Sequence, residues 1–377
     1  MRVLMTGGGT AGHINPALAI AGKIKQAHPQ AEILFVGAKG RMETQLVPQA
    51  GYPIKTVDVR GFQRRLSLKN VGRNLSAAVH AVTAEVEAGR IIRDFSPDIA
   101  IGTGGYVCGP VLRKAAKRGI PVLVHESNAF PGVTVKLLAK DAAAVMIADE
   151  AAKKYLPEGC RVVVTGNPLR PGFADADRER ARRELGMDSR PLVLSFGGSL
   201  GADRINAAMA SVMARSFRDG GIQHIHGTGR GGYEKTLELL RQEGVPLDGG
   251  VIRVREYIDD MSRCMAAADL VISRCGAMTL SELPAAGKPS ILIPSPNVAE
   301  NHQYHNAMAL VHRGAAVCLE EKDLTPDSLW EALYSLIKDP ERLRRMGENA
   351  RKSAILDADE RILRVVEQTL QKSSRQN

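Results

Sequence analysis

Aromatic residues are scarce in this chain of 377 residues: they make up 4%, with one tryptophan, Trp330. Stacking platforms for single-stranded nucleic acid need several exposed rings, so nucleic acid is not an expected partner. No apolar run reaches the roughly 18 residues that a bilayer-crossing helix requires. The cysteines are few and scattered, Cys108, Cys160, Cys264, Cys275 and Cys318, with no C-x-x-C pair. An odd, widely spaced set predicts free thiols in a reducing compartment rather than a disulfide framework. The six residues before the first glycines, MRVLMT, are too few for a signal peptide, so a cytoplasmic protein is expected, one still able to touch a membrane surface. Neither the P-loop pattern nor a kinase signature occurs, which argues against ATP-driven phosphoryl transfer. The pairs His224-x-His226 and His302-x-x-His305 lack acidic or cysteine partners at ligand spacing, so no metal site is expected.

What is present is an ordinary globular composition, 44% hydrophobic and 24% charged, in a chain long enough for two domains. The net charge is +10, which suits phosphorylated ligands or an anionic surface. Near-continuous apolar runs at 2–6, 33–37, 54–59, 98–102, 121–125, 143–148 and 161–165 read as buried parallel strands. Helical stretches at 17–28 and 77–95 lie between them. A second set of strands follows at 192–196, 223–227, 252–254, 270–273, 290–294 and 315–319. The alternation predicts an α/β chain of two Rossmann-like, doubly wound domains facing across a cleft. Residues 1–165 form the first and 166–357 the second, joined through the turn-rich segment 166–172. The tail at 354–371 reads as a last helix, with about 358–377 able to pack back on the first domain.

Each set opens with a strand that runs into glycines. GGGTAGH at 7–13 is expected to lead into a helix with Pro16 in its first turn. Backbone N–H groups there suit an anion or a hydroxyl-rich ligand, and a tight turn with no ligand is the alternative. Its spacing also matches the dinucleotide fingerprint, but the second strand ends on Gly37-Ala38-Lys39 instead of a ribose-binding acid. GTGGY at 102–106 and GGSLG at 197–201 are further turns of this kind. RCGAMTLSE at 274–282 follows a strand and should begin a short helix whose N-terminus suits a diphosphate, with Pro284 expected to kink it. Glu282 could accept both hydroxyls of a ribose, or be a solvated helix carboxylate.

Further segments are HESN at 125–128, GTGGYVCGP at 102–110, GNPLR at 166–170, FGGSLGA at 196–202, YIDDM at 257–261 and HQYHNA at 302–307. With the glycine turns these resemble, over nearly the whole chain, the bacterial glycosyltransferase family that adds N-acetylglucosamine to the lipid-linked muramyl-pentapeptide precursor of peptidoglycan (family 28, of GT-B architecture). The resemblance implies inverting transfer from UDP-N-acetylglucosamine to the C4 hydroxyl of undecaprenyl-pyrophosphoryl-N-acetylmuramyl-pentapeptide. A nucleotide-sugar epimerase or a glycolipid synthase of the same architecture is the alternative.

The implied donor contacts are Thr10, Ala11, Gly12, Asn128, Arg170, Ser199, Ile258, Ala277, Met278, Thr279, Leu280, Ser281, Glu282 and Gln303. Ile258 would lie by the uracil, Glu282 by the ribose, Ser199 and the start of the 277–282 stretch by the diphosphate, and Asn128 and Gln303 by the sugar hydroxyls. This chain departs from the family pattern at Ala11, Ser127, Leu200 and Cys275, and Leu200 gives up a polar contact. His13 is the expected general base, its ordinary pKa suiting neutral pH, with Glu126 and His125 as rivals. Gly9, Gly104, Gly105, Tyr106 and His125 are expected on the acceptor side. No tightly bound cofactor or divalent ion is required, since backbone amides and Arg170 can meet the leaving-group charge.

From 59 to 84 the chain has no Asp or Glu. Arg60, Arg64, Arg65, Lys69 and Arg73 are interleaved there with Phe62, Leu66, Leu68 and Leu75. Such a stretch suits an anionic bilayer surface, which predicts a peripheral protein on the cytoplasmic face of the membrane; a solvated basic loop is the alternative.

Overall fold

The computed structural model describes residues 1–59, 68–174, 177–198, 200–247 and 250–375. Short runs rich in Val, Ile and Leu become strands because only a sheet covered on both faces buries every side chain of such a run. Seven of them form the first sheet: β1 (Arg2–Thr6), β2 (Glu32–Ala38), β3 (Ile54–Val57), β4 (Ile99–Gly102), β5 (Val122–Glu126), β6 (Ala144–Ile147) and β7 (Val162–Val164). Six form the second: β8 (Leu192–Phe196), β9 (Gln223–Gly227), β10 (Ile252–Arg255), β11 (Leu270–Ser273), β12 (Ser290–Leu292) and β13 (Ala316–Cys318). Both sheets are parallel throughout, in the orders β3-β2-β1-β4-β5-β6-β7 and β10-β9-β8-β11-β12-β13.

The chain divides into two compact units, Met1–Pro168 with Asp357–Asn377, and Leu169–Leu356. In the first, one face of the sheet packs Leu4, Val36, Ala100 and Val124 against Ala88, Ile92 and Leu112. The other packs Val3, Met5 and Ile101 against Ile14, Ile20 and Ile24. Each fully buried aliphatic side chain contributes about 1.5–3 kcal/mol. The last helix, Ala358–Ser374, joins this second layer through Ile362, Val365 and Val366. Lys23 to Glu360 and His28 to Glu367, each at 3.0 Å, hold it against the helix Ala11–Ala27.

Two helices differ from expectation. The first begins at Ala11, so Ala11, Gly12 and His13 are its opening turn and Pro16 lies further inside it. Pro16 has no N–H to give the Gly12 carbonyl, a cost the buried packing of its ring offsets. The third long helix spans Leu68–Phe95, well before the expected start.

Candidate functional site

In a doubly wound sheet, ligand chemistry gathers at the carboxyl ends of the two strands where the winding reverses. In the first unit these are β1 and β4. Their turns are interlocked. Gly8 N donates to Gly104 O at 3.3 Å, and Thr103 Oγ1 donates to His13 O at 2.7 Å. His13 Nδ1 lies 3.1 Å from Thr103 O. A carbonyl only accepts, so Nδ1 carries the proton and Nε2 is the basic nitrogen of the neutral ring. Gly104 has φ +109°, and a Cβ on it would come 2.5 Å from His13 Nδ1. The residue must be glycine for the imidazole to hold that place. Tyr106, of the same turn, is exposed.

Glu43, which nothing in the sequence marked, reorganises the reading of the first turn. It is fully buried, and its Oε2 accepts from Gly9 N at 3.0 Å while Oε1 accepts from Ala38 N at 2.9 Å. A Cβ on Gly8 would come 2.1 Å from Oε1. Gly8 N and Gly9 N are thus both spent on the scaffold, with a carboxylate beneath them. Ala11 N and Gly12 N open the helix and precede any helical acceptor, so they are the donors of this turn that an anion or a hydroxyl group would meet.

The HESN segment leaves β5 into the same carboxyl-end layer. Glu126 is buried and accepts at Oε1 from Asn128 N and Nδ2, both 2.9 Å, and at Oε2 from Gly132 N, 2.9 Å. These donors fix it as a brace of the loop. Asn128 is thereby oriented. His125 is fully buried, its Nε2 3.1 Å from Gly166 O, and burial pushes its pKa down. Of the three candidate bases, His13 is the half-buried one, with its ring at the turn's surface.

In the second unit the winding reverses between β8 and β11. The turn after β8 packs on the loop after β9: Gly201 has φ +80° and would place a Cβ 2.1 Å from Thr228 O. Leu200 is 84% exposed. Beside it is a cavity of about 650 Å³, lined by Gly197, Gly198, Leu200, Arg274, Thr279 and Gln303 among others. Arg274, unassigned by the sequence reading, donates to Ile293 O and Pro294 O at 3.3 and 3.1 Å and pairs with Glu321. Gln303 Oε1 accepts from Ser295 N at 2.9 Å and Cys275 N at 3.2 Å, so only its NH2 is left to donate to a ligand.

The short helix starts at Thr279, later than expected, with Ala277 and Met278 in the turn before it. Leu280 and Ser281 are half-buried in its first turn, and Ser281 Oγ donates to Ala277 O. Pro284 lies inside this helix, which runs to Ala285, and Gly287, with φ +65°, follows its end. Glu282 is 2% exposed, not a solvated carboxylate, and accepts from Arg170 Nε at 2.6 Å. Burial lifts its pKa and the Arg170 contact pulls it back. The Arg170 guanidinium also stands 5.2 Å over the Phe173 ring. Ile258 is buried against Gly227. His224 and His226, on β9, are fully buried; they bond Ser216 Oγ and Ser195 Oγ at 2.8 Å.

Ser199 lies outside the described residues, as do Arg60, Phe62, Arg64, Arg65 and Leu66, while Leu68, Lys69, Arg73 and Leu75 fall in the helix Leu68–Phe95. Among the described residues no helix is long and apolar enough to cross a membrane.

Two tandem doubly wound sheets, one presenting a histidine at its switch point and the other a buried carboxylate in a short helix, form the frame in which sequence similarity identifies a glycosyltransferase. The chain belongs to glycosyltransferase family 28, whose N-terminal domain matches residues 3–147 and whose C-terminal domain matches 192–362. It is 47% identical over 367 residues to the UDP-N-acetylglucosamine--N-acetylmuramyl-(pentapeptide) pyrophosphoryl-undecaprenol N-acetylglucosamine transferase of Acetivibrio thermocellus, covering 97% of each chain. Among solved structures, MurG of Acinetobacter baumannii is 28% identical, with a TM-score of 0.79 over 97% of this chain and 99% of that one. A UDP-N-acetylglucosamine 2-epimerase from Listeria monocytogenes, 15% identical with a TM-score of 0.68 over 99% and 97% of the two chains, shares the fold alone.

Proposed function

We propose that this chain transfers N-acetylglucosamine from UDP-N-acetylglucosamine to the C4 hydroxyl of undecaprenyl-pyrophosphoryl-N-acetylmuramyl-pentapeptide, with inversion at the anomeric carbon. The observation that carries the reading is the unlike construction of the two switch points. In the first unit Gly9 N is taken by Glu43, and the contact of His13 Nδ1 with Thr103 O makes Nε2 the basic nitrogen of its ring. In the second unit Glu282 is buried beside Arg170 in a short helix whose first residue, Thr279, lines a cavity of nucleotide size.

In this reading the acceptor oxygen attacks the anomeric carbon, its proton passes to His13 Nε2, and the bond to the diphosphate oxygen breaks to release UDP. Glu282 accepts from the ribose hydroxyls, the NH2 of Gln303 donates to the sugar, and the remaining N–H groups of Arg170 face the leaving charge. No step requires a tightly bound cofactor or a divalent ion. Incubation with UDP-N-acetylglucosamine and a short-chain lipid-linked muramyl acceptor should yield the disaccharide and UDP in equal amounts. Epimerised sugar without disaccharide, or neither product, overturns the reading.

The lipid acceptor also implies a peripheral position at the cytoplasmic face of the membrane, through the acid-free stretch 59–84. Replacing Arg64 and Arg65 by Glu should weaken binding to anionic vesicles, and unchanged binding would leave that stretch a solvated loop.

A further inference from the structure

The second unit has another cavity, of about 610 Å³, at the opposite end of its sheet. Its walls come from the residues that enter β8, β11 and β12, together with the helix Pro340–Lys352. Its charge is unbalanced. Arg178, Lys288, Arg344 and Arg351 line it, against two acids, Asp269 and Glu348.

Both acids are already engaged. Asp269 Oδ1 accepts from Arg178 Nε and Nη2 at 3.0 and 2.7 Å, and Oδ2 from Arg182 Nη1 at 2.9 Å and Leu192 N at 2.8 Å. Four donors saturate a carboxylate. Glu348 pairs with Arg344 on the same helix. Lys288 is 8% exposed, and its Nζ donates to Ala266 O and Ala268 O, both at 2.8 Å. These contacts close the end of the helix Met261–Ala267 and use two of its three protons. Arg351 lines the cavity, and its Nη1 donates to Ala285 O and Ala174 O.

A buried ammonium with no dedicated carboxylate is costly, and the usual remedy is a counter-ion. Burial, together with repulsion from Arg178, Arg182 and Arg351, lowers the Lys288 pKa to about 8, although Asp269 opposes the shift. Arg178 and Arg344 are matched by Asp269 and Glu348, whereas Lys288 and Arg351 bond only carbonyl oxygens among the described residues, so one anion in the cavity would serve both.

We propose that this cavity is a second anion site that takes a phosphorylated small molecule, separate from the donor site at the other end of the same sheet. Its volume exceeds that of a bare phosphate and suits a diphosphate or a nucleotide. Arginines and a lysine converging on one space are the groups that recognise phosphoryl oxygens.

The test uses the full chain saturated with UDP, so that the donor site is occupied, with inorganic diphosphate, ADP and anionic phospholipid vesicles as separate probes. Calorimetry should show one further site for diphosphate or ADP and none for vesicles. Hydrogen exchange should slow at 285–289 and 340–352. Arg344→Glu, an exposed change on the rim, should weaken this second site at least tenfold and leave UDP affinity unchanged. Lys288→Met should do the same and abolish the fall in affinity between pH 7 and 9. Vesicle binding lost in Arg344→Glu would overturn the small-molecule assignment in favour of a headgroup. Absence of any second event at millimolar diphosphate, or one indifferent to Arg344→Glu, overturns the site. UDP affinity, measured alone, reports separately on the donor site.

Discussion

The two units repeat one architecture and use a buried carboxylate in opposite ways. In the first, Glu43 lies under the glycine turn and takes up backbone amides. In the second, Glu282 lies at a helix start and is held by a long, half-exposed side chain, Arg170. A carboxylate bound to backbone is part of the scaffold, and its donors are lost to ligands. A carboxylate bound to a guanidinium can share its lone pairs with a ribose while the guanidinium turns to a phosphate. The repeated fold therefore spends one buried carboxylate on its own backbone and keeps the other on a side chain, the difference on which the proposed division of proton transfer and donor binding rests.

The comparison is broken most sharply at His13. His13→Ala should lower turnover by about 10²–10⁴-fold with little change in the donor KM. Steady-state kinetics with unchanged turnover would move the base elsewhere. Glu282→Gln should instead act on the donor, raising its KM by about 10–100-fold, the size of a lost charge-assisted hydrogen bond of ~1.5–3 kcal/mol. If turnover at saturating donor fell just as far, the two switch points would not divide the work as described.

Stability separates the units next. His224 and His226 are buried and neutral, their pKa values lowered to about 3 and about 4 from 6.5. A depressed histidine contributes stability that is present above pH 6.5 and lost as pH falls through the folded value. At pH 5 each should cost about 2 kcal/mol. Denaturant melts at pH 7 and pH 5 should show the second unit weakening first, and His226→Phe should remove part of that pH dependence. Glu43→Gln should destabilise the first unit by about 1–3 kcal/mol through its backbone partners and leave the donor KM alone. The smallest effect belongs to Leu200→Gln, expected to change the donor KM by less than about threefold, because Leu200 is almost wholly exposed. A large gain would show that a side-chain contact is missing there.

The thirteen strands among the described residues were legible in the sequence, most of them, such as β1, β5, β6 and β8, because a strand buried on both faces is rich in apolar residues. Helix starts were less legible. The first helix takes in Ala11 to His13 because Thr10 already has extended cap geometry, and a glycine-rich opening carries no apolar periodicity to announce it. His13, Glu126 and Glu282 were all visible as residues with suitable chemistry beside turns. Their partners were not, because Thr103 is 90 residues from His13, and Arg170 is 112 from Glu282.

By itself, then, the sequence determined the two-sheet α/β class, the family and the residues able to transfer a proton or hold a nucleotide, because these follow from local composition and motif chemistry. Only the tertiary structure decided which of them are scaffold. Glu43, Glu126 and His125 are buried and bonded to backbone, whereas His13 keeps a half-exposed ring and Arg170 a half-exposed guanidinium. Burial and hydrogen-bond saturation are set by contacts between distant segments, and they decide whether a polar group is spent on the fold or left for a ligand.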